Sequence, residues 1–154
     1  MSRDRGEAGP LPDSSSLRLG VVAARYNPEL VEGLLQRVRE TLAGAGVPAD
    51  RLEIQRVPGS MEVPFGLGRL ARQARFDALL GLGVVIGGDT HHHEVIAEST
   101  ARSLQDLSLR HDLPVINGIL VVDSLDQAEA RVGGAHDRGA EYARAALELA
   151  HFPA

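Results

Sequence analysis

The chain has 154 residues, no cysteine, 3% aromatic content and a formal net charge of -5. That length suits one domain with a single core, burying about 68 to 70% of the unfolded surface, and so few aromatics make that core aliphatic. Several function classes are excluded. Without cysteine there is no disulfide or thiolate nucleophile, and a reducing compartment, by default the cytoplasm, is favoured. All 16 basic residues are arginine, so no lysine is present for an enzyme-bound Schiff base, a pyridoxal phosphate linkage or a nucleotide phosphate loop. An acidic chain without a basic block or interleaved aromatics argues against nucleic acid. No apolar run approaches the roughly 20 residues needed to span a membrane.

Residues 1–16 are polar, carry prolines and lack a secretory apolar segment. They read as a flexible arm, or as an edge strand for a neighbouring subunit, ahead of one domain over 17–154. Four apolar runs, 17–24, 52–57, 78–86 and 115–122, each precede a helical stretch. Alternation within them is weak, as in strands of a parallel sheet buried on both faces. The first helix opens with Asn27 as N-cap and Pro28 at the first helical position. Its apolar stripe is Leu30, Val31, Leu34, Leu35, Val38 and Leu42, and Gly44 and Gly46 end it.

The second helix begins near Ser60 or Met61, with Pro64 confined to its first turn or two and Gly66 and Gly68 implying close packing. The third runs over about 92–110, turning Ile96, Thr100, Leu104 and Leu107 inward and Glu98, Arg102 and Asp106 outward. Ser124 to Gln127 has the pattern of a capping box. The last helix, over about 137–150, is expected to bury Tyr142, Ala145, Ala146 and Leu149. The sum is an α/β protein: a three-layer, flavodoxin-like sandwich on a four-stranded parallel sheet, with its site at the carboxyl ends of the strands.

The richest segment is Leu82-Gly83-Val84-Val85-Ile86-Gly87-Gly88-Asp89-Thr90-His91-His92-His93-Glu94, where a buried strand breaks at two glycines and restarts as a helix. Glycines allow close approach to a ligand, a helix N-terminus offers free N–H groups to an anion, and histidine moves protons. The segment is not a nucleotide phosphate loop, because Asp89 holds the lysine position, nor a dinucleotide fingerprint, because Ile86 stands where the third glycine belongs. A turn able to hold one phosphate around Asp89 and Thr90 remains, beside the plain alternative of a turn capped by Thr90. Consecutive histidines point about 100° apart on a helix and do not chelate one metal ion together. No metal site or organic cofactor is implied.

Other candidates also have two readings. Tyr26, just past the first strand, stacks on a flat heterocycle or packs as a helix staple. Ser60, Met61 and Glu62 hold a polyol or simply cap a helix. Arg131 clamps a phosphate or is a surface arginine near a helix C-terminus.

These motifs, in this order, resemble those of the lumazine synthase family. The central segment is similar to the family pattern L-G-x-V-I-x-G-x-T-x-H-[aromatic]-[DE]. The resemblance runs from about Leu19 to Leu149 through Arg25-Tyr26-Asn27, Pro58 to Pro64, Pro114 to Leu120, Gln127-Ala128, Arg131, Gly133 and Gly139 with Glu141. Three departures stand out: Gly87 where arginine is common, His93 where an aromatic is common, and Asp137-Arg138-Gly139 where Asn-Lys-Gly is common.

The resemblance implies a transferase of riboflavin biosynthesis, condensing a ribitylamino-pyrimidine with a butanone phosphate. It implies His92 as the proton-transfer group, and Tyr26, Asn27, Ser60, Met61, Glu62, Val85, Ile86 and Asn117 as contacts of the pyrimidine and its ribityl chain. Asp89, Thr90 and Arg131 are the implied phosphate contacts, and Arg138 replaces a lysine in a role left open. It further implies a homopentamer with sites shared between subunits, Asn117 and Arg131 coming from the neighbour. The short 131–138 loop leans towards a capsid of twelve pentamers. Two alternatives are an archaeal-type riboflavin synthase and a non-catalytic lumazine- or flavin-binding shell protein.

Overall fold

Strand β1 (Leu19–Ala24) is buried at every position, the condition expected of a continuous aliphatic run covered on both faces. In the computed structural model, which describes residues 6 and 9–154, it lies between β2 (Leu52–Val57) and β3 (Ala78–Ile86). Strand β4 (Val115–Val122) pairs with the other edge of β3, so the order is β2-β1-β3-β4 and all pairings are parallel. Among the described residues the α-helices are α1 (Pro28–Gly44), α2 (Val63–Ala71), α3 (His92–His111), α4 (Leu125–Val132) and α5 (Arg138–Ala150). No helix among them is long and apolar enough to cross a membrane.

Successive strand residues serve two aliphatic layers. Leu19, Val21 and Ala23 of β1 and Leu80, Leu82 and Val84 of β3 meet α1, α4 and α5 through Val31, Leu34, Leu35, Val38, Ala128, Ala143 and Leu147. Val22, Ala24 and Leu79 face the other way, onto Val63, Leu67 and Leu70 of α2 and Leu104 of α3. Each such Leu or Val contributes about 1.5 to 3 kcal/mol on full burial. That is why the two central strands hold the molecule together. The result is the expected three-layer sandwich.

Three expectations need correction. The first strand starts at Leu19 rather than at residue 17. The N–H of Leu17 donates to the Ser14 carbonyl at 3.1 Å and that of Arg18 to the Asp77 carboxylate at 2.8 Å, so both are used before the ladder begins. The second concerns α5, which buries Gly139, Ala143, Ala146 and Leu147, while Ala145 is half-buried and Leu149 exposed. Its rotation is set where it crosses α1: a Cβ on Gly139 would lie 2.6 Å from the Leu34 carbonyl oxygen, so residues on that side of the helix face inward. Tyr142 is half-buried, resting on Gly118 of β4.

The third correction is at Asn27. It occupies the cap position of α1, and its carbonyl takes the Val31 N–H at 3.1 Å, but its side chain makes no capping bond. Its amide is used elsewhere, as described below.

Of the N-terminal arm, residues 1–5, 7 and 8 lie outside the described residues. Leu11 packs against the core, and Ser14 is fully buried with its N–H on the Ala45 carbonyl at 3.2 Å. The Ser14 hydroxyl donates to the Pro12 carbonyl at 3.1 Å and so accepts from His151 Nε2 at 3.1 Å.

Candidate active site

Strand β3 outruns its neighbour on one side. Its pairing with β1 stops at Leu82, whereas its pairing with β4 continues to Ile86. Residues 84–86 therefore project at the carboxyl end of the sheet with the edge on the β1 side free of a strand partner. Ligands of parallel α/β sheets gather at such ends.

Asn27 covers part of that edge, its Nδ2 donating to the Val84 carbonyl at 2.8 Å. To reach it the Asn27 backbone adopts φ 53° and ψ 59°, a left-handed conformation that asparagine tolerates better than most residues. Tyr26 and Arg25 donate their N–H groups to the carbonyls of Pro58 and Val57 at 3.2 and 2.8 Å, which ties this loop to the next one. There Ser60, Met61 and Glu62 form a single 3-10 turn before α2. The Ser60 hydroxyl occupies the place a Cβ on Gly83 would take, so a glycine inside β3 lets the turn approach.

Past Ile86 the Gly87 N–H donates to the Val122 carbonyl at 2.7 Å. The chain then turns through Asp89 and Thr90 into α3. Thr90 is a weak cap, its hydroxyl accepting the His92 N–H at a long 3.4 Å. No side-chain capping bond is made by His91, the residue just before the helix.

The three loops enclose a cavity of about 490 Å³. Tyr26, Asn27, Ser60, Met61, Glu62, Val85, Ile86, Thr90 and His92 all line it. Tyr26 is 73% exposed, so its ring lies open at the rim and adds little to the core. Five further lining residues, Gly59, Val84, Gly88, His93 and Ile96, are not among the site contacts expected from the sequence. For Ile96 a signal exists, since it stands one helical turn after His92 and so shares its face.

Asp89 is exposed and does not line the cavity. Asn117, Arg131 and Arg138 do not line it either. Asn117 is exposed on β4 opposite Gly81, with its Oδ1 accepting the Ile119 N–H at 3.0 Å. Arg131 is near the end of α4 and donates to the Gln127 carbonyl at 3.1 Å. Arg138 opens α5 and donates to the Glu141 carboxylate at 3.0 Å. Burial pushes the Tyr142 phenol up from its ordinary value, and the charges of Arg138 and Arg131 partly offset this. Among the described residues no group of His, Asp or Glu is arranged to hold a metal ion.

Residues 16–154 match the family model described as 6,7-dimethyl-8-ribityllumazine synthase. The chain belongs to the lumazine synthase family. Its relatives of that name include one from Xanthomonas euvesicatoria pv. vesicatoria (strain 85-10), 39% identical over 139 residues and covering 90% of each chain. One from Nitrosomonas europaea is 41% identical over 140 residues, 91% of this chain and 84% of the relative. A third, from Stenotrophomonas maltophilia (strain K279a), is 40% identical over 145 residues, 94% of each. The motif residues of this lumazine synthase family member thus fall into those that line the cavity and those that do not, Asn117 on β4, Arg131 on α4 and Arg138 on α5 among the latter.

Proposed function

We propose that this chain condenses 5-amino-6-ribitylaminouracil with 3,4-dihydroxy-2-butanone 4-phosphate, giving 6,7-dimethyl-8-ribityllumazine, phosphate and water in the penultimate step of riboflavin biosynthesis. The supporting observation is the convergence of Tyr26, Ser60, Glu62 and His92 on one cavity beside the open backbone edge of β3, in a chain of this family. The pyrimidine amine attacks the ketone, and loss of water leaves an imine between the two substrates. Phosphate is eliminated, and the ring closes with loss of a second water. No protein nucleophile takes part, which suits a chain without lysine or cysteine.

In this reading Tyr26 stacks on the pyrimidine, Val85 and Ile86 offer backbone groups to its edge, and Ser60, Met61 and Glu62 hold the ribityl chain. His92 moves protons at the amine and carbonyl. Asp89, Thr90 and Arg131 take the phosphate, and holding both substrates in register supplies much of the acceleration. Asn117 and Arg131 serve the cavity of the adjacent subunit in a cyclic pentamer, with pentamers assembling further into a capsid and the N-terminal arm adding a strand to a neighbour. A cytoplasmic location belongs to the same reading. A riboflavin synthase consuming the lumazine would have no use for the phosphate turn, and a carrier no use for His92.

The test is to mix the purified protein with both substrates and follow lumazine fluorescence and released phosphate. Equal amounts of the two are expected; no fluorescence above the uncatalysed reaction overturns the proposal. Light scattering on the same sample reads the assembly size.

A further inference from the structure

The tip of the His93 ring fills the space above Gly87. A Cβ built on Gly87 would lie 3.3 Å from Nε2 of His93, a few tenths of an ångström too close, and 3.4 Å from both Cδ2 and Cε1, at the edge of ordinary van der Waals contact. With the His93 ring in this place, a side chain branched at Cβ on residue 87 would push against it. The other ring nitrogen, Nδ1, is 3.1 Å from the Thr90 carbonyl oxygen. A carbonyl only accepts, so this bond requires the proton on Nδ1 and fixes the tautomer of the neutral ring. One side chain thus joins the end of β3 to the turn that opens α3.

His92, by contrast, has no such anchor. Its backbone N–H reaches the Thr90 hydroxyl at 3.4 Å, while its side chain is exposed and among the described residues its ring has no hydrogen-bond partner. Where that ring points depends on the shape of the turn beneath it. Thr90, His92 and His93 line the same cavity. Gly87 and His93 are also two of the positions at which this sequence departs from the lumazine synthase pattern, and the ring at 93 lies where a side chain at 87 would begin.

We propose that His93 is a positioning residue: seated over Gly87 and bonded to the Thr90 carbonyl, it holds the turn so that Thr90 and His92 face the cavity. This rests on the reading of His92 as the proton-transfer group. If it is right, Gly87→Val displaces the ring and produces the same defect as His93→Ala. His93→Phe keeps a ring but loses the bond to Thr90. His93→Asn keeps a donor close to the place of Nδ1.

Steady-state kinetics and amide hydrogen exchange test this on the intact assembly. His93→Ala, His93→Phe and Gly87→Val should each lower kcat about tenfold while the pyrimidine KM stays within about twofold. Exchange at the Glu94 and Val95 amides, which donate to the His91 carbonyl where the turn becomes α3, should quicken about tenfold, and His93→Asn should recover most of both losses. The Gly87→Val/His93→Ala double variant should be no worse than either single one, because both remove one shared contact. Unchanged kcat and exchange in both His93→Ala and His93→Phe overturn the proposal, as do losses that multiply in the double variant. His92→Ala, measured alongside, separates the two readings: if it turns over normally the role of His92 fails, and the exchange data still decide whether His93 holds the turn.

Discussion

The side-chain amide of Asn27 donates to the main-chain carbonyl of Val84 at 2.8 Å, so the residue that opens α1 is fastened to the projecting end of β3. One bond across the sheet joins two walls of the cavity. It also explains why asparagine stands there, since the same residue must tolerate φ 53°.

Asn27→Ala should cost about 2 kcal/mol in urea denaturation, roughly 1 for the lost hydrogen bond and roughly 1 for a left-handed alanine. Asn27→Gly loses the bond without the backbone strain and should lie between the variant and the parent. An alanine protein as stable as the glycine one would mean that the backbone relaxes out of the left-handed region.

His92→Ala should slow turnover by about 100-fold while leaving the affinity for a ribityl-pyrimidine analogue near that of the parent, because proton transfer acts on the barrier. Calorimetric titration and initial rates give the two quantities separately. Parent-like turnover would remove His92 from the mechanism.

Arg131→Ala should raise the KM for the butanone phosphate much more than that for the pyrimidine. Arg131 does not line the cavity that holds His92, so a shared site makes a second prediction. At a butanone phosphate concentration well below the raised KM of Arg131→Ala, where both variants are slow, co-refolding Arg131→Ala with His92→Ala should restore part of the activity, through interfaces that combine two intact halves. No recovery in a mixed assembly would argue for complete sites within each subunit.

Asp137 accepts a two-pronged contact from Arg37, with Nε at 3.0 and 3.1 Å and a terminal nitrogen at 2.6 Å, and caps α5 by taking the Ala140 N–H at 3.4 Å. The Arg37 contact first, and the cap after it, hold the Asp137 carboxyl below its ordinary value of 3.8. The folded chain therefore binds this proton less readily than the unfolded chain. The stabilisation is complete above the unfolded value of about 3.9 and disappears as pH falls through the lower folded value. Asp137→Asn keeps a capping oxygen but not the charge. Its stability deficit in denaturation curves should be constant down to about pH 4 and shrink below it; a deficit that persists unchanged at about pH 2 would mean that the ion pair contributes nothing.

The candidate site is partly legible in the sequence. The run from Leu82 to Glu94 marks a strand end, a glycine turn and a helix start in consecutive residues, so local chemistry alone reveals it. Ser60 and Tyr26 are legible for the same reason, each lying just past an aliphatic run. His93 is not, because the placing of its ring over Gly87 follows from no spacing rule. The inward face of α5 is not legible either: Ala140, Ala143, Ala145 and Ala146 offer several faces of similar hydrophobicity, and the choice falls to Gly139 against Leu34.

By itself the sequence determines the parallel α/β architecture, because strands buried on both faces must be continuous aliphatic runs, and the family, because its motifs recur in order. Tertiary structure alone decides which residues meet. β3 continues past the last β1 pairing at Leu82, opening the cavity, and the open carbonyl of Val84 draws the Asn27 amide away from helix capping. Asn117 and Arg131 stay off the cavity. These outcomes depend on strand register and on contacts between residues distant in sequence, and neither is encoded in any one segment.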